Sequence, residues 1–254
     1  MSRDQDSTAD EADFGYQRVP AGDKARRVGE VFSSVASRYV VMNDVMSAGL
    51  HCLWKQQALR LVNARPGHRV LDLAAGTGDL SVGLSRTVGK DGRVVVSDIN
   101  EAMLNEGRDR LLNEGLADNL DYTLADAEQL PFAPRSFDRI TIAFGLRNVT
   151  RIPRALAAMR EALRPGGKLV VLEFSRLYLQ PLQPVYDAYS FQVLPLMGRL
   201  VANDADSYRY LAESIRMHPD QETLLTMMED AGFEDCGFIN LSGGIVALHH
   251  GHVY

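Results

Sequence analysis

The chain has 254 residues, 46% of them hydrophobic and 24% charged, enough for one α/β domain or two small ones around a buried core. A net charge of −6 supplies no basic field for nucleic acid, and Cys52 and Cys236 are too few for a disulfide framework or a Cys-rich zinc site. The residue balance excludes a disordered or collagen-like chain and fits a soluble protein of a reducing cytoplasm.

Residues 1–13 are acidic and lack the basic-then-apolar order of a signal peptide, so they are expected to form a flexible tail ahead of one domain spanning residues 14–254. No stretch reads as a transmembrane helix. The longest run free of Asp, Glu, Lys and Arg, Cys236–Tyr254, is broken by Asn240, Ser242-Gly243-Gly244 and histidines.

Val28, Val31, Phe32 and Val35 recur at helical spacing and predict an amphipathic helix over Lys24–Ala36, with a second near Leu50–Leu61. A regular alternation follows. Strands are expected at Arg69–Leu73, Arg93–Ser97, Leu120–Leu124, Arg139–Phe144 and Lys168–Phe174. Helices are expected at Asp79–Val88, Glu101–Asn113 and Pro153–Leu163. This rhythm predicts an α/β fold with right-handed crossovers and a mainly parallel sheet covered on both faces.

The alternation stops at residues 175–217, a stretch rich in Tyr, Leu and Pro that is expected to form a lid inserted after strand five. Leu177, Tyr178, Leu179, Leu182, Tyr186, Tyr189, Phe191, Val193, Leu194, Leu196 and Met197 would line a groove for an isoprenoid tail or touch a bilayer surface; core packing or a dimer contact explains them equally. A helix at Pro219–Ala231, stopped by Gly232, precedes two strands near Cys236–Leu241 and Gly244–His249, with Ser242-Gly243-Gly244 as the hairpin turn.

The most informative segment is Val70-Leu71-Asp72-Leu73-Ala74-Ala75-Gly76-Thr77-Gly78-Asp79, a strand entering a small-residue turn and then a helix. Small residues admit a ligand close to the backbone, and a helix start offers free N–H groups; a purely structural tight turn has the same signature. Asp98 ends the next strand, 20 residues after Gly78. A carboxylate there can accept both hydroxyl hydrogens of a ribose, or cap the following helix. NAD and S-adenosylmethionine both suit such a site. The dinucleotide fingerprint wants a third glycine where this chain has Ser81, which disfavours NAD.

The segment resembles motif I of class I S-adenosylmethionine-dependent methyltransferases, whose Rossmann-like sheet is thereby implied, with Ala74 in place of the usual first glycine. Asp126-Ala127 matches the adenine-contacting position of that fold, and Leu163-Arg164-Pro165-Gly166-Gly167 matches its turn before strand five. Longer words narrow the resemblance. Tyr39–Ser47 with His51-Cys52-Leu53-Trp54-Lys55, Phe144-Gly145-Leu146-Arg147-Asn148-Val149, Glu173-Phe174-Ser175 and Val201–Leu211 are similar to signatures of the bacterial ubiquinone/menaquinone biosynthesis C-methyltransferases, a likeness running from about Phe14 to the C-terminus. Val40 departs from the family's usual Asp, Cys52 from Arg, Ala143 from Ser and Asp126 from Asn; the first two bear on the acceptor side, the last two on cofactor contacts.

The resemblance implies methyl transfer from S-adenosylmethionine to a ring carbon of a polyprenylated quinol, either 2-polyprenyl-6-methoxy-1,4-benzoquinol or demethylmenaquinol. It implies cofactor contacts at Gly76, Thr77, Gly78, Asp98, Asp126, Ala127 and Ala143. Arg147, just past strand four, is the expected catalytic residue, stabilising a phenolate or orienting a water; a salt bridge or loop-fixing bond is the structural alternative. Tyr39 and His51 are weaker candidates. His249-His250-Gly251-His252 has no acid or Cys cluster beside it in sequence, and no metal is expected. The expected partners are the quinol substrate, a quinone-biosynthesis complex and peripheral contact at the inner membrane, with no nucleic acid. An NAD-dependent oxidoreductase and a non-enzymatic scaffold subunit are the rival functions.

Overall fold

A computed structural model of the protein describes residues 11–35, 47, 49–178, 181, 183–189 and 205–254. The chain opens on a small antiparallel hairpin, β1 (Glu11–Phe14) and β2 (Gln17–Pro20). Residues 11–13, expected in a flexible tail, are therefore paired, with Ala12 opposite Val19 and both side chains buried.

Helices α1 (Ala21–Val35) and α2 (Leu50–Val62) follow. Then come β3 (Arg69–Leu73), α3 (Asp79–Val88), β4 (Arg93–Asp98), α4 (Glu101–Asn113), β5 (Leu120–Leu124) and β6 (Phe137–Ala143). A 3-10 turn at Leu146–Asn148 leads into α5 (Ile152–Ala162) and β7 (Leu163–Phe174). The last elements are α6 (Gln183–Ala188), α7 (Ala205–Met217), α8 (Gln221–Asp230), β8 (Glu234–Leu241) and β9 (Val246–Val253).

Seven strands form one sheet in the order β5-β4-β3-β6-β7-β9-β8. The first five run parallel, as expected, and β9 is antiparallel to both its neighbours. The short turn over Ser242–Gly244 explains the reversal, because a tight hairpin joins only antiparallel strands.

Strand residues alternate between two cores. Val70, Val94, Val96, Val170 and Leu172 pack with Ala58, Leu84 and Leu104 beneath α2, α3 and α4. Leu71, Val95, Ile140, Ile142 and Val171 pack with Leu156, Met159, Leu224 and Met228 beneath α5 and α8. A strand covered on both faces must be apolar at successive positions, which explains the valine-dense runs. The strand expected from Lys168 reaches back to Leu163, which pairs with Phe137 before a register shift.

Within residues 175–217 the described parts are Ser175–Tyr178, Pro181, α6 with Tyr189, and α7. Leu177 is buried and Tyr178 is exposed. Leu179, Leu182, Phe191, Val193, Leu194, Leu196, Met197 and the side chain of Tyr186 lie outside the described residues, as do Tyr39 and Val40. Among the described residues, no helix is long and apolar enough to cross a membrane.

Candidate active site

The turn from β3 into α3 carries a run of left-handed residues: Ala74 at φ 52°, Gly76 at 54° and Gly78 at 78°. A Cβ makes that conformation unfavourable by about 1–2 kcal/mol, so Ala74 holds with strain a place where glycine is at ease. The turn is pinned from the next strand, where the Ser97 carbonyl accepts the Ala75 N–H at 2.9 Å. Gly107 of α4 presses on it from behind. A Cβ there would stand 2.5 Å from the Gly76 carbonyl oxygen, so only glycine lets the helix approach this closely.

Asp98, at the end of β4, is buried. One carboxylate oxygen accepts the Gly76 N–H and the other the Asn100 N–H, each at 2.9 Å. Burial raises its pKa above the ordinary carboxylate value, and the backbone bonds oppose that rise. The capping role proposed for Asp98 belongs instead to Asn100, whose side-chain oxygen accepts the Met103 N–H at the start of α4. The Asn100 amide nitrogen donates to the Gly29 carbonyl and the Ser33 hydroxyl, so one side chain ties α4 to α1.

A cavity of about 340 Å³ opens above these strand ends. Gly76, Asp98, Asp126, Ala127 and Ala143 line it, bringing together five of the seven residues expected to contact a cofactor. Thr77 lines a smaller neighbouring cavity of about 30 Å³ with Lys55, Asp72 and Asp79, and Gly76 and Ala143 border both spaces. Gly78 lines neither; it holds the left-handed N-cap of α3 against Leu111. The large cavity's outer wall is α1, through Ala21, Ala25, Val28, Gly29 and Phe32. That face reads from sequence only as amphipathic, because its burial depends on elements distant in the chain.

Beside the smaller cavity, Asp79 forms ion pairs with Lys55 of α2 and Arg110 of α4. Asp72 is fully buried, accepts the hydroxyls of Ser81 and Thr141 at 2.6 and 2.8 Å, and is pushed up to about 6 by burial.

Arg147 lies in the 3-10 turn past β6, outside the large cavity, although Phe144, Gly145, Asn148 and Val149 around it face that space. It is buried and pairs with Glu173 at the end of β7, Nη1 to Oε1 2.9 Å. It also donates to the Phe144 carbonyl and lies over the Phe174 ring at 5.4 Å. Among the described residues its Nε has no hydrogen-bond partner. The salt bridge raised as an alternative role is therefore present, and it leaves one donor unused.

Tyr210 on the buried side of α7 and His218, just past its end, are buried within electrostatic reach of the pair. Tyr210 donates to Asn148 Oδ1 at 3.0 Å, and Arg147 and Glu173 both act electrostatically on it. Lys24 of α1, also buried, donates to the Val149 carbonyl at 3.0 Å. Glu173 stands out in the sequence as one charge at the end of a buried strand; His218 gives no such signal.

His51 lies on α2 with Nδ1 2.7 Å from the Ser47 hydroxyl, and its neighbour Cys52 is exposed. His249 is buried and donates Nε2–H to the Gln221 carbonyl, while the rings of His250 and His252 lie 6.0 Å apart. Among the described residues, no group of three or more His, Cys, Asp and Glu is placed to hold a metal ion.

Solved structures share this architecture. A SAM-dependent methyltransferase from Thermotoga maritima superposes with a TM-score of 0.64 at 19% identity, over 89% of this chain and 99% of that one. Another, from Aquifex aeolicus, gives 0.59 at 18% identity, over 79% and 89%. The fold is that of the class I methyltransferases, with its N-terminal helices. The ubiE/COQ5 methyltransferase family matches residues 21–253. A ubiquinone/menaquinone biosynthesis C-methyltransferase of Azotobacter vinelandii is 60% identical over 238 residues, 94% of each chain. One from Cellvibrio japonicus is 58% identical over 238 residues, 94% of this chain and 96% of that protein. With the match running from the first turn of α1 to the last residue of β9, the chain belongs to the ubiE/COQ5 methyltransferase family.

Proposed function

We propose that the protein methylates a ring carbon of polyprenylated quinols, converting demethylmenaquinol to menaquinol and 2-polyprenyl-6-methoxy-1,4-benzoquinol to its methylated product. The observation that carries this reading is the buried Asp98 carboxylate in the wall of a 340 Å³ cavity at the carboxyl ends of parallel strands, in a chain of this family.

The residues present fit S-adenosylmethionine. Asp98 uses one bond per oxygen on the backbone and keeps acceptor capacity for ribose hydroxyls. Gly76 and Ala74 keep the strand-end wall free of bulk, and Asp126 and Ala127 form the wall expected around an adenine. When bound, S-adenosylmethionine supplies an electrophilic methyl group, which an electron-poor quinone cannot attack and a deprotonated quinol can.

The acceptor side follows from Arg147. Its charge is balanced by Glu173, so the pair adds no net charge, while the unused Nε–H is a donor for a phenolate oxygen. Glu173 fixes the guanidinium plane, and Phe174 beneath it excludes water on that side. The acceptor's polyprenyl tail belongs to a lipid bilayer, so the enzyme works as a peripheral protein at the inner-membrane surface, within or beside a quinone-biosynthesis complex.

Complementation of a host lacking its own enzyme, followed by mass measurement of its quinones, tests this. Restored methylated products are the expected outcome. Unchanged demethylated quinones, with S-adenosylmethionine still bound by the purified protein, would leave the scaffold reading instead.

A further inference from the structure

The buried polar groups around Glu173 are not all satisfied by the protein. Arg147 Nε, Ser175 Oγ and both ring nitrogens of His218 lack a hydrogen-bond partner among the described residues. Leaving such a group unpaired in a folded core is costly, so a cluster of them marks a place completed by something else. His218 is the most complete case: it is 5% exposed, and neither end of its ring is used.

Its position is set by α7 and by the start of α8. Tyr210, Ser214 and His218 recur every four residues on the buried face of the chain leaving α7, and the His218 N–H bonds the Ser214 carbonyl. Tyr210 reaches Asn148, a wall residue of the large cavity. Three residues past His218, the Gln221 amide donates to the Arg176 carbonyl, which brings Ser175 to the same neighbourhood. The charged groups that act on the His218 ring are Glu173 from β7, Arg147 from the 3-10 turn and Lys24 from α1; His249 of β9 also feels it.

We infer that His218 is an acceptor-binding residue, whose imidazole takes a ring hydroxyl of the quinol as its hydrogen-bond partner beside Arg147. Burial holds the ring neutral, pushing its pKa down to about 4, so one nitrogen donates and the other accepts. That pairing suits a hydroxyl, which does both. A fixed cation there would duplicate Arg147, and an apolar side chain would leave the hydroxyl dry. A site built this way rejects a ring that lacks the oxygen, because its own polar atoms are then stranded. The assignment rests on the quinol reading above, which names the ligand but not this contact.

Calorimetry with S-adenosylhomocysteine bound tests it, using a short-tailed 1,4-benzoquinol and the same ring lacking the hydroxyl remote from the methylated carbon. Wild type is expected to prefer the quinol about tenfold or more, the scale of one lost hydrogen bond in a dry site. His218→Phe should bind both rings alike with unchanged affinity for S-adenosylhomocysteine, and His218→Gln should recover part of the preference. Independently, ¹⁵N spectra of the wild-type imidazoles should show the His218 resonances moving with the quinol and not with the deoxygenated ring. An undiminished preference in His218→Phe, or His218 resonances indifferent to the quinol, overturns the assignment even where the phenylalanine variant folds poorly. A wild type that binds S-adenosylhomocysteine and neither ring refutes the quinol reading itself.

Discussion

Arg147 and Glu173, 26 positions apart in sequence, form an ion pair at 2.9 Å in which neither side chain is more than 3% exposed. Removing one partner strands the other charge in the interior, at about 3–5 kcal/mol. Arg147→Ala should therefore lose stability as well as turnover, and its activity alone would say little. Arg147→Met combined with Glu173→Gln should return to within about 1–2 kcal/mol of wild type in urea unfolding, because an uncharged pair leaves no stranded charge and the amide oxygen still accepts the backbone N–H groups that Glu173 holds. Turnover of that double variant should stay about 10²-fold down, as for loss of one preorganised donor. Recovery of turnover together with stability would make the pair purely structural.

Asp98→Ala should weaken S-adenosylmethionine binding by about 1.5–3 kcal/mol, about ten- to a hundredfold in Kd, through loss of charge-assisted bonds to the ribose. Asp98→Asn should lose less, since an amide oxygen still accepts. Calorimetry on both variants checks the order, and unchanged affinity in Asp98→Ala would remove the carboxylate from the site.

Gly107→Ala tests the packing behind the motif turn. With 2.5 Å between the added Cβ and the Gly76 oxygen, α4 or the turn must move. A destabilisation of about 1–3 kcal/mol is expected, as for overpacked cores, with weaker S-adenosylmethionine binding because Gly76 lines the cavity. Urea midpoints and calorimetry should move together.

His249 predicts an acid limb in stability. Burial lowers its folded pKa to about 4 from an ordinary 6.5, so the unfolded chain binds the proton first as pH falls. Its contribution is complete above pH 6.5 and is lost on descending toward 4. Between pH 7.5 and 4, wild type should lose on the order of 3 kcal/mol relative to His249→Phe, from the linkage between pKa and stability. Urea unfolding of both proteins across that range gives the difference directly, and a gap independent of pH would mean the ring is accessible to protons when folded.

The sheet was legible because its strands are buried on both faces, so runs such as Val94-Val95-Val96 and Leu169-Val170-Val171 carry their own signal. The helices Asp79–Val88 and Glu101–Asn113 fall where expected, bounded by Gly78 and the Asn100 cap. The β1–β2 hairpin was not legible. Half of its eight strand residues are polar, and its partners lie almost two hundred positions away. Of the cavity wall, Gly76, Asp98 and Asp126 were readable because each sits at or just past a strand end, where this fold class opens its crevice. Glu173 was visible as a lone charge closing a buried strand, but its pairing with Arg147, like His218 and the α1 wall, was not, since each draws its role from neighbours that only the folded chain supplies.

That hairpin has one more effect. Phe14 stacks on Tyr210 at 4.4 Å, and the Tyr16 N–H reaches Glu213 at 3.1 Å, while α1 begins at Ala21 directly after β2. A single buttress thus braces both the α1 wall of the large cavity and α7, the helix whose Tyr210 reaches Asn148 and which we propose faces the quinol. The two ligands share its cost of ordering, so each is expected to bind more tightly once the other is aboard, and trimming the first sixteen residues should abolish that synergy before it abolishes either affinity.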